Sequence, residues 1–99
     1  MSDLSVENIT LYPLVVINDR YNGVYSGAQW TAWEDYPDAI PEAVFGDDDS
    51  CFDFWLGANK DNIGFGDTPE QAIQDLKQKK VKYYNAKYYN AKYDKEYTL

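Results

Sequence analysis

Residues 64–80 read GFGDTPEQAIQDLKQKK, and how they fold decides the fold of the chain. Asp67 or Thr68 is placed to cap a helix, Pro69 suits its first position, and Gln71 completes a Thr-x-x-Gln box. Glu70 lies near the positive end of the helix, while Lys77, Lys79 and Lys80 lie where the axis has turned negative. Ala72, Ile73 and Leu76 form a narrow apolar stripe. A helix with one apolar stripe needs a surface to cover, so the preceding residues should supply a sheet.

Moving outward, Leu14–Ile17 is a compact apolar, β-branched run and reads as a buried strand. Asn22-Gly23 then signals a hairpin turn. Val24–Trp33 should return as the second strand, with Val24, Ala28, Trp30 and Ala32 on one face and Tyr25, Gln29, Thr31 and Trp33 on the other. A Trp on each face suggests that both faces are covered. Glu34–Ser50 is a long connection broken by Pro37 and Pro41, with a short helical turn over Pro41–Phe45. Cys51–Leu56 alternates and reads as a third strand. Gly57–Asn62 turns the chain, and Ile63–Phe65 forms a short fourth strand. The expected fold is α+β: a three- or four-stranded antiparallel sheet packed on one main helix. It forms a single domain over residues 1–80, followed by a basic, Tyr-rich tail over 81–99, either a helical extension or disordered.

The tail repeats Lys82–Ala86 at Lys87–Ala91, KYYNA twice. Five helical residues advance about 500°, so successive copies face different directions and no single face collects the tyrosines. Interleaved Lys and Tyr also suit stacking on nucleic acid, but the acidic body beside them opposes it.

The chain has 99 residues, no histidine and one cysteine. Without histidine the commonest general base and metal ligand are missing. Cys51 has no imidazole partner and stands among Asp47, Asp48, Asp49 and Asp53, which oppose a thiolate, so it reads as a buried, inert thiol. A lone cysteine, a polar acidic N-terminus and the lack of a long apolar run point to a cytoplasmic protein with no membrane association. GDDDS lacks the ligand alternation and bidentate Glu of a calcium loop. Asp75-x-Lys77 matches an acidic-x-Lys nuclease pattern, but such spacing is ordinary on a helix surface. No catalytic residue, metal site or cofactor is expected, and the chain reads as a non-enzyme.

Net charge is −8 and divides unevenly. Residues 1–76 hold fifteen Asp or Glu against Arg20 and Lys60, a net of −13, whereas 77–99 hold seven Lys against Asp94 and Glu96, a net of +5. Glu34, Asp35, Asp38, Glu42, Asp47, Asp48, Asp49 and Asp53 fall in one segment with no basic residue. That segment reads either as a solubilising loop or as a surface for a basic partner. In the second case Trp33 and Tyr36 join the carboxylates as aromatic anchors. Phe45 and Trp55 are nearby but better explained by core packing.

Tyr12, Pro13, Val15 and Val16 in the first strand, with Gly66, Asp67, Thr68, Glu70, Ala72 and Leu76 at the helix, resemble the HicB-like antitoxin domain across residues 12–78. The resemblance implies a small sheet on one helix and, as a function, neutralisation of a small toxin RNase. The long acidic Glu34–Ser50 link departs from the family, and the Lys/Tyr tail stands where relatives carry a DNA-binding module. By type alone, a short, acidic, aromatic-rich chain also resembles the inhibitors that phages and mobile elements encode, such as anti-CRISPR and anti-restriction proteins. That likeness implies a basic nucleic-acid-binding protein or defence complex as partner, met through a nucleic-acid-mimicking surface, with no direct nucleic-acid contact by the body. The oligomeric state is left open, a dimer included.

Overall fold

The computed structural model describes residues 6–97, with side chains described as far as Asn85. Side chains of the Lys/Tyr repeat from Ala86 onward lie outside the described residues. Strands β1 (Val15–Asn18), β2 (Trp30–Trp33) and β3 (Ile63–Gly66) form one antiparallel sheet in the order β1-β2-β3. Helix α1 (Asp48–Gly57) lies between β2 and β3 in sequence, and α2 (Pro69–Tyr97) follows β3. The architecture is α+β, with two helices rather than one.

Side-chain alternation sends neighbouring residues of each strand to opposite faces, and both faces are covered. Ala32, with Val16 and Trp30 beside it, meets Leu11, Ala72 and Leu76 beneath α2. Trp33 and Ile63, with Val15, Ile17 and Phe65, meet Ile40, Val44, Cys51 and Trp55 beneath α1 and the short 3-10 turns before it. The register pairs Val15 with Trp33 and Trp33 with Ile63, so one row of large residues crosses all three strands.

The α2 layer is close because β3 ends in GFG. A Cβ on Gly64 would collide with the Ala72 carbonyl oxygen, and one on Gly66 with the Ala72 nitrogen. Helix backbone therefore rests on strand backbone. The expected cap forms: Gln71 N–H donates to Thr68 Oγ1 at 3.1 Å, and Gln71 Oε1 accepts from Asp67 N–H at 2.9 Å.

The free edge of β3 is occupied by α2 side chains. Phe65 N–H donates to Asp75 Oδ2 at 2.9 Å, and Lys79 Nζ donates to the Ile63 carbonyl at 2.8 Å. Asp75 and Lys79 pair with each other at 3.0 Å. Asp75 is thus committed to the scaffold, where its contacts close an edge that would otherwise offer unpaired backbone groups.

Two expectations are corrected. Cys51–Leu56 is not a strand but the body of α1. Asp47 caps that helix by accepting from Ser50 N–H at 3.0 Å, and Asp48 and Asp49 occupy its first turn. Cys51, Phe54, Trp55 and Ala58 then recur at helical spacing and all meet the core. A strand would have placed Asp53 on the same face as Cys51 and Trp55, burying a charge without a partner. The sheet accordingly has three strands, with Ile63–Gly66 as the third.

The second strand is also shorter than expected, Trp30–Trp33 instead of Val24–Trp33. Asn22 and Gly23 do take positive φ, 56° and 86°, but within a long loop rather than a two-residue hairpin. Asp19 organises that loop, accepting from Tyr21 N–H, Gly23 N–H and the Ser26 hydroxyl at 3.1, 2.6 and 3.2 Å. These side-chain acceptors replace the ladder bonds of a longer hairpin.

Candidate functional site

The acidic segment forms the outer layer on one side of the sheet. It runs from the end of β2 through 3-10 turns at Pro37–Ala39 and Glu42–Phe45 into α1. Asp35, Asp38, Glu42, Asp47, Asp48, Asp49 and Asp53 are all exposed. Ile40, Val44, Cys51 and Trp55 anchor the same segment inward. Asp38, Glu42, Asp48, Asp49 and Asp53 therefore stand on short, packed helical turns, with Asp47 capping the last of these and Asp35 in the bend before the first.

Glu34 is different. Its carboxylate meets Lys80 Nζ at 3.2 Å and accepts from Tyr12 N–H at 3.3 Å. It ties the end of β2 to α2 and to the segment before β1. Trp33 does not anchor a surface: it is 8% exposed and its indole N–H donates to Thr31 Oγ1 at 2.9 Å. Its position in the middle of a buried row, between Val15 and Ile63, accounts for this. Tyr36 is exposed, and so is Phe45, contrary to the expectation that it packs in the core; Trp55 does pack there.

Arg20 sits at the join between the second 3-10 turn and α1, donating to the Phe45 and Gly46 carbonyls at 3.0 and 2.9 Å. It fixes the backbone that presents Asp47. Hydrogen bonds from Ser50, first its backbone N–H and then its hydroxyl, hold the Asp47 carboxyl below its ordinary range. Burial, followed by the charge of Asp19, pushes the Cys51 thiol up. Cys51 is 3% exposed and its Sγ lies 3.3 Å from the Ala43 carbonyl, so it is a packed thiol donor rather than a nucleophile.

The outward face of α1 was not legible in the sequence. Phe52 and Leu56 are 51% and 75% exposed. They are four residues apart on a helix, so they form one ridge. Beside it lies an open groove of about 410 Å³ lined by Tyr25, Phe52, Trp55, Leu56, Ala58 and Lys60. The Tyr25 ring stands edge-on to Phe52 with centroids 6.2 Å apart. Burial, then the charges of Asp48 and Asp49, raise the Tyr25 phenol above its ordinary value. Reading residues 51–56 at helical rather than strand period would have exposed this ridge, because Phe52 and Leu56 then fall opposite Cys51 and Phe54.

Among the described residues, no three His, Cys, Asp or Glu side chains converge as a metal site, and no helix is long and apolar enough to cross a membrane. No protein-family model, curated protein or solved structure matches the chain.

Proposed function

We propose that this chain is a non-enzymatic inhibitor of a basic nucleic-acid-binding protein, of the kind that phages and mobile elements direct against host defence complexes. The observation that carries this reading is the exposed carboxylate layer from Asp35 to Asp53, which contains no basic residue and is held for the most part on packed helical turns. Duplex DNA presents about one charge per 1.7 Å of axis, and the proteins that hold it oppose that charge with Lys and Arg. A fixed array of carboxylates competes for the same cations. Charge steers such an encounter and makes its rate salt-dependent.

The test is capture from a bacterial lysate followed by competition. The recovered partner should be displaced by duplex DNA, and Asp47→Asn, Asp48→Asn and Asp49→Asn combined should weaken its binding. Asn retains capping ability at position 47, so lost binding would not signify a lost helix. Unchanged binding by the triple variant would refute the mimic mechanism.

A second reading, a HicB-like antitoxin, is favoured by the antiparallel β1-β2-β3 sheet laid on α2 through its capped Asp67-Thr68 start. It predicts that co-expression rescues cells from a small toxin RNase encoded beside this chain. Failure to rescue would remove it.

A further inference from the structure

The outward face of α1 combines two features that charge mimicry alone does not require. Phe52 and Leu56 form an exposed apolar ridge. On an α-helix Asp49 and Asp53 form a parallel row beside that ridge, and Asp48, four residues before Phe52, stands at its N-terminal end. All three carboxylates are exposed. The adjoining groove has Trp55 in its wall. Trp55 is 3% exposed, and its indole N–H is a buried donor without a hydrogen-bond partner among the described residues.

Resting on the inhibitor reading above, we propose that this face docks a basic amphipathic helix of the partner protein. Apolar side chains at i, i+4 spacing would lie against Phe52 and Leu56, with Lys or Arg flanking them and meeting Asp48, Asp49 and Asp53. The charges select this occupant. An anionic membrane would be repelled by the same carboxylates that border the ridge. A second copy would bring its own Asp48, Asp49 and Asp53 to the same face, which is unfavourable. A partner helix carrying cations beside its apolar stripe satisfies both features, in the helix-in-groove mode.

The probes are two synthetic peptides of equal charge: an amphipathic Leu/Lys helix, and the same peptide with its leucines replaced by serine. Binding is followed by fluorescence anisotropy, with circular dichroism to confirm that each variant is folded. The leucine peptide should bind about tenfold tighter or more, roughly the effect of burying one large apolar side chain. Phe52→Ser with Leu56→Ser should erase that difference. Asp49→Asn with Asp53→Asn should weaken both peptides. Equal binding of the two peptides, or indifference to the Phe52 and Leu56 changes, overturns the docking face. If the aspartate variants still weaken binding in that case, the charge-based reading survives. If they do not, it falls as well. A concentration-dependent dimer in sedimentation, lost on changing Phe52 and Leu56, would assign the face to a second copy and overturn the proposal.

Discussion

Asp47 links charge to structure at the scale of one residue. It is part of the exposed carboxylate layer and also the N-cap of α1. Ser50 donates to it and lowers its pKa in the folded chain. A carboxyl with a depressed folded pKa contributes stability that is complete above its unfolded value, about 3.9, and is lost as pH falls through the folded value. Asp47→Asn keeps an acceptor for Ser50 N–H but has no carboxylate to titrate. The difference in melting temperature between the wild type and Asp47→Asn should therefore be constant above about pH 5 and change below about pH 4. Thermal melts across that range decide it. A difference that does not vary with pH would mean that the carboxylate charge adds nothing to the cap.

At the scale of elements, β3 and α2 are joined by absence of side chain. Gly64 faces the Ala72 carbonyl too closely for a Cβ. Gly64→Ala must push α2 off the sheet and should cost about 1–3 kcal/mol, the usual range for overpacking. Gly57, at the end of α1, has open space where its Cβ would stand. Gly57→Ala should be neutral or slightly stabilising, by no more than about 1 kcal/mol. Urea titration of both variants checks the pair; equal effects would mean that the GFG contact does not carry the docking of α2.

These elements also show what a sequence reading can reach. α2 was legible because its signals are local: Thr68, Pro69 and Gln71 mark its start, and Ala72 and Leu76 its inner face. β1 and β3 were legible from short apolar runs. That both sheet faces are covered followed from Trp30 and Trp33 pointing opposite ways. α1 was not legible as a helix, because Phe52, Phe54 and Trp55 favour strands and the six residues alternate as well as they repeat at helical spacing. The deciding signs were Asp47 as cap and Asp53, which strand alternation buries. The extent of β2 was hidden for a different reason. Asp19 and Ser26 hold the loop through tertiary hydrogen bonds that no local spacing announces. Among the acidic residues, sequence could not separate Glu34 from its neighbours, since its partner Lys80 lies far along the chain.

At the scale of the whole molecule, the sheet separates two layers of opposite character. One carries the exposed carboxylates from Asp35 to Asp53, and the other carries Lys77, Lys79, Lys80 and Lys82 on α2. Two electrostatic effects then compete. Repulsion within the acidic layer destabilises the fold. The partly exposed pairs Lys80–Glu34 and Asp75–Lys79, at 3.2 and 3.0 Å, stabilise it. Pairs of this kind contribute about 0–1 kcal/mol each, whereas seven carboxylates on consecutive turns repel one another together. Repulsion should dominate. Raising sodium chloride from about 0.01 M to 0.15 M shortens the screening length from about 30 to 8 Å, and the melting temperature at neutral pH should rise with it. The Asp47→Asn, Asp48→Asn, Asp49→Asn triple variant has fewer charges to screen, so its melting temperature should rise less over the same range. Chloride is the appropriate anion, because sulfate would strengthen apolar burial in any protein. A melting temperature that falls with salt would show that the two ion pairs outweigh the repulsion. The acidic layer would then cost the fold little, and its charge could be held without a partner to neutralise it.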